Sequence, residues 1–145
     1  MTVASVMTPC PACCTPNSSL TEVARLMVDN DCGEIPVVED MKTRKLAGVI
    51  TDRDIATRIV AQGRNSAQAC ACDCMTSPAV SVHPETSLKE CCELMESQQI
   101  RRVPVVDEAG GVVGIVSLAD VARTANDATT VAVVKEVSSG MPNRQ

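Results

Sequence analysis

Two short motifs in the sequence place a hydroxyl group three residues ahead of a carboxylate. Gly48–Asp54 reads GVITDRD and Gly114–Asp120 reads GIVSLAD. In each motif the hydroxyl follows a glycine and two apolar residues, a pattern typical of the point where a buried strand turns into a helix. A helix N-terminus offers free amides to a phosphate. The aspartate can accept hydrogen bonds from two neighbouring ribose hydroxyls, each worth about 1.5–3 kcal/mol. The motifs therefore predict sites for a nucleoside phosphate.

The same residues have a purely structural alternative. Thr51, Asp52 and Ser117 would then serve only as helix N-caps, while Asp54 and Asp120 would complement the helix dipole. Because the motif occurs twice, each time behind a matched glycine, ligand binding is favoured over capping alone.

The nine cysteines offer a different chemistry. An odd number excludes a complete set of disulfides, so we expect reduced thiols. The cysteines at 10, 13 and 14 and those at 70, 72 and 74 have spacings that could ligate a soft metal ion. The alternative to a nucleotide site is therefore a zinc or redox site formed by Cys10, Cys13, Cys72 and Cys74. Neither cluster has the paired C-x2-C units of common zinc modules.

Catalytic groups are scarce in this sequence. His83 is the single histidine, and it precedes Pro84 in a strand-like segment. No nucleophile, base and orienting group can be proposed together. We therefore expect a protein that is not an enzyme.

An internal repeat organises the chain. Met7-Thr8-Pro9 returns 68 residues later as Met75-Thr76-Ser77-Pro78, and Pro36 matches Pro104 at the same offset. Gly48 matches Gly114 at an offset of 66, so the length difference lies in the polar stretch 39–45. A length change confined to a polar connection is typical of a surface hairpin.

Each repeat predicts a short extended lead followed by a helix, two strands and a second helix. The S-x-x-E sequences at Ser19 and Ser87 are typical of the start of a helix. The core-facing stripes that follow are Leu20, Val23, Ala24 and Met27 in one repeat and Leu88, Cys91, Cys92 and Met95 in the other. The predicted strands are 35–38, 46–50, 103–106 and 112–116, and the second helices begin near Asp52 and Leu118. The small polar stretch 63–73 is predicted to link the repeats.

Composition limits the partners. The 145 residues suit one compact domain, are 45% hydrophobic, include no aromatic residue and carry a net charge of −5. Acidity opposes binding to nucleic acid or to an anionic membrane, and the chain has no Phe, Tyr or Trp ring on which a base could stack. No apolar run approaches the ~18 residues of a membrane span, and the first basic residue is Arg25. We expect a cytoplasmic protein.

The repeated motifs resemble the cystathionine β-synthase (CBS) domain pair, also called a Bateman module. The resemblance rests on the Met-Thr-Pro lead, the Pro-Val-Val strands and the two glycine-to-aspartate motifs. It covers about residues 5–125, and stand-alone proteins of the hypoxic response protein type look most similar. It implies an α/β fold of two pseudo-twofold related repeats packed through their sheets, with a short C-terminal helix. The implied boundaries are 1–67 for the first repeat with its lead, 68–127 for the second and 128–145 for a C-terminal segment.

The resemblance also implies that an adenine nucleotide lies in the cleft between the repeats. AMP is the expected ligand, with ATP, ADP or NAD as alternatives. The sequence does not distinguish among these four, and it does not exclude S-adenosylmethionine. For one cleft the implied residues are Val49, Thr51, Arg53, Asp54, Pro78, Ala79, Val80, Ile100, Arg101 and Arg102. For the other they are Ser117, Asp120, Pro11, Ala12, Gly33 and Glu34.

The two implied clefts differ in charge. Arg101 and Arg102 stand shortly before Pro104, where Gly33 and Glu34 stand before Pro36. A guanidinium can bind phosphate bidentately, whereas a desolvated carboxylate repels it. We therefore expect the Asp54 cleft to bind the nucleotide and the Asp120 cleft to be weaker or to take a less charged ligand.

These expectations describe a non-catalytic sensor. The nucleotide would change the setting of the two repeats and thereby a contact with an unidentified protein partner. Apolar helix faces beyond those needed for the internal core, together with the habit of the family, predict a homodimer.

Overall fold

The computed structural model describes residues 1–124, so the predicted C-terminal segment 128–145 lies outside the described residues. Within residues 1–124 the chain divides into two compact units. The first unit contains Met1–Cys10, Val80–Asp107 and residues 113–124, and the second contains Pro11–Ala79 and Glu108–Val112. The N-terminal lead therefore belongs to the same unit as the second repeat.

The predicted order of helix, strand, strand and helix is present in both repeats, and the mixed α/β class is confirmed. In chain order the elements are β1 (Thr8–Pro9), α1 (Leu20–Asp29), β2 (Glu34–Val38), β3 (Leu46–Thr51), α2 (Asp52–Ile55), α3 (Leu88–Gln98), β4 (Arg102–Val106), β5 (Val112–Ser117) and α4 (Leu118–Thr124). A π-helix over Ala56–Val60 continues α2. Each strand except β1 lies within one residue of its predicted bounds.

Backbone pairing joins the short leads to the longer strands. In the second unit β2 and β3 are antiparallel, with Ile35 opposite Ile50, and Thr76 forms an antiparallel bridge with Val49 of β3. In the first unit β1, β5 and β4 form one sheet, with Thr8 opposite Ile115. The lead of each repeat thus pairs with the last strand of the other repeat.

Each unit has its own apolar core. Ser19 and Ser87 cap α1 and α3 as predicted, since each hydroxyl oxygen accepts a hydrogen bond, 3.1 Å long, from the amide of the glutamate three residues on. The core of the second unit contains Leu20, Val23, Met27, Ile35, Val37, Ile50 and Ile59. The core of the first contains Leu88, Cys91, Cys92, Met95, Val103, Val105, Val116, Leu118 and Val121.

The prediction for Ala24 is wrong, because this residue is exposed. The buried stripe of α1 is narrower than the pattern suggested, and the single methyl group of Ala24 gains little free energy from burial. Cys92, at the matching position of α3, is buried as predicted.

The stretch 63–73 is more ordered than a simple linker. It contains two short 3-10 turns, Ser66–Gln68 and Ala71–Asp73, and buries Ala69 and Ala71 in the core of the second unit. Small side chains allow this backbone to approach α1 closely. The composition of the stretch did not predict that packing.

No helix within residues 1–124 is long and apolar enough to cross a membrane.

Candidate functional site

The first motif forms a reciprocal cap where β3 turns into α2. The Thr51 hydroxyl oxygen accepts a 3.0 Å hydrogen bond from the Asp54 amide, and Asp54 Oδ2 accepts one of 3.0 Å from the Thr51 amide. Both residues are half-buried. The motif therefore does cap a helix, and the cap uses one carboxylate oxygen of Asp54. The other oxygen, Oδ1, takes no part in the cap.

The second motif repeats this geometry at the start of α4. The Ser117 hydroxyl oxygen accepts a 3.1 Å hydrogen bond from the Asp120 amide, and Asp120 Oδ2 accepts one of 3.3 Å from the Ser117 amide. The sequence match at an offset of 66 residues thus corresponds to matched local structure.

The two aspartates differ in the arginine that follows each of them. Asp120 Oδ1 is hydrogen-bonded to Arg123 within α4. Asp54 Oδ1 lies 3.9 Å from Arg58 Nη2, while Nη1 of the same guanidinium donates to the Cys74 carbonyl at 2.9 Å. Asp54 therefore keeps the more available oxygen. Arg58 and Arg123 were not among the predicted site residues, although their spacings of four and three residues from the aspartates are those of helical ion pairs.

The glycines of both motifs permit close approach by a lead. A Cβ atom added to Gly48 would lie 2.6 Å from the Thr76 carbonyl oxygen, and one added to Gly114 would lie 2.5 Å from the Met7 sulfur. The Val49 and Thr76 amides donate to one another's carbonyls at 3.0 and 2.8 Å. This pairing places the segment that continues into Pro78 and Ala79 in the same unit as the Thr51–Asp54 cap.

The remaining predicted residues fall in both units. Val80, Ile100, Arg101, Arg102, Ser117 and Asp120 belong to the first unit, and Pro11, Ala12, Gly33, Glu34 and Arg53 belong to the second. In the first unit the Arg101 carbonyl accepts from the Leu118 amide at 2.8 Å, and in the second the Gly33 carbonyl accepts from the Asp52 amide at 2.9 Å. Each residue pair ahead of a Pro-Val strand therefore flanks the helix start of its own repeat. It stays a prediction that Arg101 and Arg102 contribute to the same ligand site as Asp54.

The cysteines of the alternative metal site differ in surroundings. Cys10 belongs to the first unit, and Cys13, Cys72 and Cys74 belong to the second. Cys13 is buried and its sulfur lies 3.1 Å from Arg44 Nη2, which also donates to the Pro11 carbonyl. Burial raises the pKa of the Cys13 thiol, an effect that Arg44 partly opposes. Because Arg44 donates to the sulfur atom itself, its guanidinium competes with a metal cation for this ligand.

Three further thiols are kept protonated. Burial raises the pKa of Cys14 to about 12 and that of Cys91 to about 12. Burial also raises the pKa of Cys74. These thiols act as apolar packing groups at neutral pH.

A separate groove of about 590 Å³ opens beside α1 in the second unit. Its lining residues are Cys13, Cys14, Thr15, Ser18, Thr21, Glu22, Arg25, Leu26 and Met41. It includes neither Thr51 nor Asp54 and lies outside the predicted nucleotide site.

The chain contains two matches to the CBS domain family, at residues 3–61 and 71–127. It belongs to the CBS domain family. CBS domain pairs are generally regulatory and non-catalytic modules.

Known members of the family are similar over nearly the whole chain. Hypoxic response protein 1 of Mycobacterium tuberculosis is 34% identical over 140 residues, which are 97% of this chain and 96% of that protein. A crystal structure of that protein contains two coordinated zinc ions and matches 87% of this chain and 100% of its own with a TM-score of 0.79.

Two other CBS structures contain adenosine compounds. The CBS domain pair of protein MJ0100, in complex with 5′-methylthioadenosine and S-adenosyl-L-methionine, has a TM-score of 0.75 and 29% identity over 85% of this chain and 94% of its own. CBSX2 of Arabidopsis thaliana, in complex with AMP, has a TM-score of 0.71 and 27% identity over 84% of this chain and 93% of its own.

Proposed function

We propose that this CBS domain pair is a non-catalytic sensor of an adenosine-containing ligand, with Asp54 as the acceptor for the ribose hydroxyls. The observation that carries the proposal is the Asp54 carboxylate, which caps α2 through Oδ2 and has Oδ1 outside the cap. The ligands of MJ0100 and CBSX2 support it, because AMP, S-adenosylmethionine and methylthioadenosine share adenosine. Adenosine provides the two adjacent hydroxyls that a carboxylate recognises.

Among adenosine compounds we propose AMP for the Asp54 site, with ATP, ADP and NAD as alternatives. Thr51, Val49, Arg53, Pro78 and Ala79 complete the proposed site in the second unit. The proposal assigns phosphate binding to Arg101 and Arg102, whose guanidinium groups offer bidentate donors.

The Asp120 site is proposed to be weaker. Arg123 is hydrogen-bonded to Oδ1 of Asp120, so a ribose hydroxyl must share that oxygen with a guanidinium. At Asp54 the nearest guanidinium is 3.9 Å away and is held by a backbone carbonyl. This difference adds a structural reason to the expected asymmetry.

Signalling follows from differential binding. A ligand that binds one conformation of the repeats better than another shifts the population toward that conformation, and a protein partner can recognise the favoured conformation.

We also propose a homodimer, because Val28 of α1 and Val60 after α2 are 71% and 64% exposed. Light scattering on the purified protein measures its oligomeric state.

The proposed ligand can be identified directly. Since the chain has no Tyr or Trp, a bound adenine would dominate the near-ultraviolet absorption of the purified protein. Heat release followed by mass spectrometry should yield an adenosine compound. If the protein purifies without one and calorimetry then detects no binding of AMP, adenosine or S-adenosylmethionine, the proposed function is wrong.

The phosphate assignment has its own test. Arg102→Ala should weaken AMP binding by about tenfold or more, because a hydrogen bond to a charged group is worth about 1.5–3 kcal/mol. Adenosine, which lacks the phosphate, should bind this variant as it binds the wild type. Arg25→Ala removes an exposed arginine of α1 and is the matched control. An unchanged preference for AMP over adenosine in Arg102→Ala would remove this residue from the site.

A further inference from the structure

A cluster of two thiols and one carboxylate lies on the 3-10 turn that follows Cys70. The Cys70 and Cys72 sulfur atoms are 3.0 Å apart, and Cys70 Sγ lies 3.5 Å from Asp73 Oδ2. One ligand atom from each residue falls within 4.8 Å of the other two. Cys70 is half-buried, and Cys72 and Asp73 are exposed, so a small solute can reach the group.

The backbone holds this turn in place on both sides. Cys70 forms an antiparallel bridge with Ser19, the residue that caps α1. The Ala71 amide donates to the Ser18 carbonyl at 2.8 Å, and the Cys72 amide donates to the Pro16 carbonyl at 3.0 Å. Asp73 Oδ2 also accepts a 2.9 Å hydrogen bond from the Cys70 amide. The fold therefore positions the backbone that carries the three candidate ligands before any ion arrives.

We propose that Cys70, Cys72 and Asp73 bind one thiophilic divalent cation such as Zn²⁺, with solvent in the fourth position. In a tetrahedral zinc site with bonds of about 2.3 Å to sulfur and about 2.1 Å to oxygen, two sulfurs lie about 3.8 Å apart and a sulfur and an oxygen about 3.6 Å apart. The 3.5 Å between Cys70 Sγ and Asp73 Oδ2 already agrees. The sulfur-to-sulfur distance must widen by about 0.8 Å, which rotation of the exposed Cys72 side chain provides.

The donor set and its surroundings suit this class of ion. Two thiolates and a carboxylate are soft and borderline ligands that favour Zn²⁺ or Cd²⁺ over Mg²⁺ or Ca²⁺. Binding replaces the two thiol protons with two metal–sulfur bonds and releases both protons to solvent. Arg64, 3.5 Å from Asp73 Oδ1, offsets part of the net negative charge of the loaded site.

The site is distinct from the adenosine site and does not depend on it. Sequence spacing alone predicts the alternative metal site at Cys10, Cys13, Cys72 and Cys74. Of these residues only Cys72 belongs to the cluster of three that the described residues form. The proposed site therefore contains Cys72 together with Cys70 and Asp73, and not the other three cysteines.

Titration of the reduced, metal-free full chain tests the proposal. Calorimetry with Zn²⁺ should show one tight site per chain with release of two protons, and Cd²⁺ should produce a thiolate charge-transfer band that the aromatic-free protein does not obscure. Cys70→Ser and Cys72→Ser should each remove the band and weaken Zn²⁺ binding by at least about tenfold. Asp73→Asn should weaken binding while its amide oxygen still accepts from the Cys70 amide.

Two further variants make the result decisive. Cys32→Ser, a half-buried cysteine outside the cluster, is the matched control and should bind Zn²⁺ as the wild type does. Circular dichroism should show that all variants keep the fold. The proposal is overturned if the wild type binds no Zn²⁺, or if Cys10→Ser loses the ion as completely as Cys72→Ser does. Binding of AMP or adenosine to the same variants reports on the proposed function separately.

Discussion

Replacing Asp54 by asparagine separates ligand recognition from helix capping. The asparagine side-chain oxygen can still accept the 3.0 Å hydrogen bond from the Thr51 amide, so the start of α2 is retained. The charge is lost, and an amide nitrogen, which donates and does not accept, takes the place of Oδ1. A ribose hydroxyl that donated to Oδ1 then loses its partner. Asp54→Ala would remove the cap as well, at a further cost of about 1 kcal/mol in stability.

The expected effect on binding follows from the number of hydrogen bonds lost. One hydrogen bond to a charged acceptor contributes about 1.5–3 kcal/mol, which corresponds to a loss in affinity of roughly 10- to 150-fold. Asp120→Asn should change AMP affinity less, because Arg123 already holds the equivalent oxygen. Isothermal titration of AMP into the two variants and the wild type measures both effects. Thermal unfolding followed by circular dichroism shows whether the caps survive.

Two results would refute the reasoning. Wild-type affinity in Asp54→Asn would show that Asp54 has only the capping role. Equal losses in Asp54→Asn and Asp120→Asn would refute the asymmetry between the motifs. Asp52→Asn, at an exposed residue of the same turn outside the proposed site, is the control for general disturbance of the turn and should bind AMP normally.

Two further predictions concern stability. Gly48→Ala should lower the free energy of unfolding by about 1–3 kcal/mol, because the added Cβ would lie 2.6 Å from the Thr76 carbonyl oxygen and the segment around Thr76 must move. An unchanged urea midpoint would contradict the pairing of Thr76 with Val49. Stability should also fall as the pH rises from 9 toward 12. Cys14 and Cys91, each with a pKa of about 12 when folded, stay protonated while the unfolded thiols ionise near 9.0, so the native state binds more protons. Each thiol accounts for about 1.4 kcal/mol at one pH unit above 9.0. Cys91→Val, which installs the residue found at the matching position of α1, should flatten the pH dependence measured by urea unfolding; an unaltered slope would exclude Cys91 as a source.

The sequence was sufficient for the repeat and for most of its elements. The S-x-x-E caps at Ser19 and Ser87, the short β-branched strands and the paired glycine-to-aspartate motifs all depend on neighbours within a few residues. Such local signals are read directly from the order of residue types. The same signals predicted a cap at Thr51 and Asp54 as the alternative to a ligand site, and that cap is present.

Packing at a distance decided what those local signals left open. Ala24 and Cys92 occupy matching positions, yet one is exposed and the other is buried, because burial depends on what the rest of each unit places against the helix. The stretch 63–73 looked like a linker, but its alanines fill the core beside α1.

The chemistry of the candidate sites shows the same division. Sequence spacing alone determined that Asp54 and Asp120 follow a hydroxyl at the start of a helix. Only the tertiary structure decided which carboxylate keeps an available oxygen, since Arg58 is held by the distant Cys74 carbonyl and Arg123 pairs with Asp120 directly. The cysteine spacing also did not reveal the cluster of Cys70, Cys72 and Asp73, because one of its three ligands is a carboxylate that the local turn brings to the thiols. The contact between Arg58 and the Cys74 carbonyl joins segments 16 residues apart, and local propensity does not encode it.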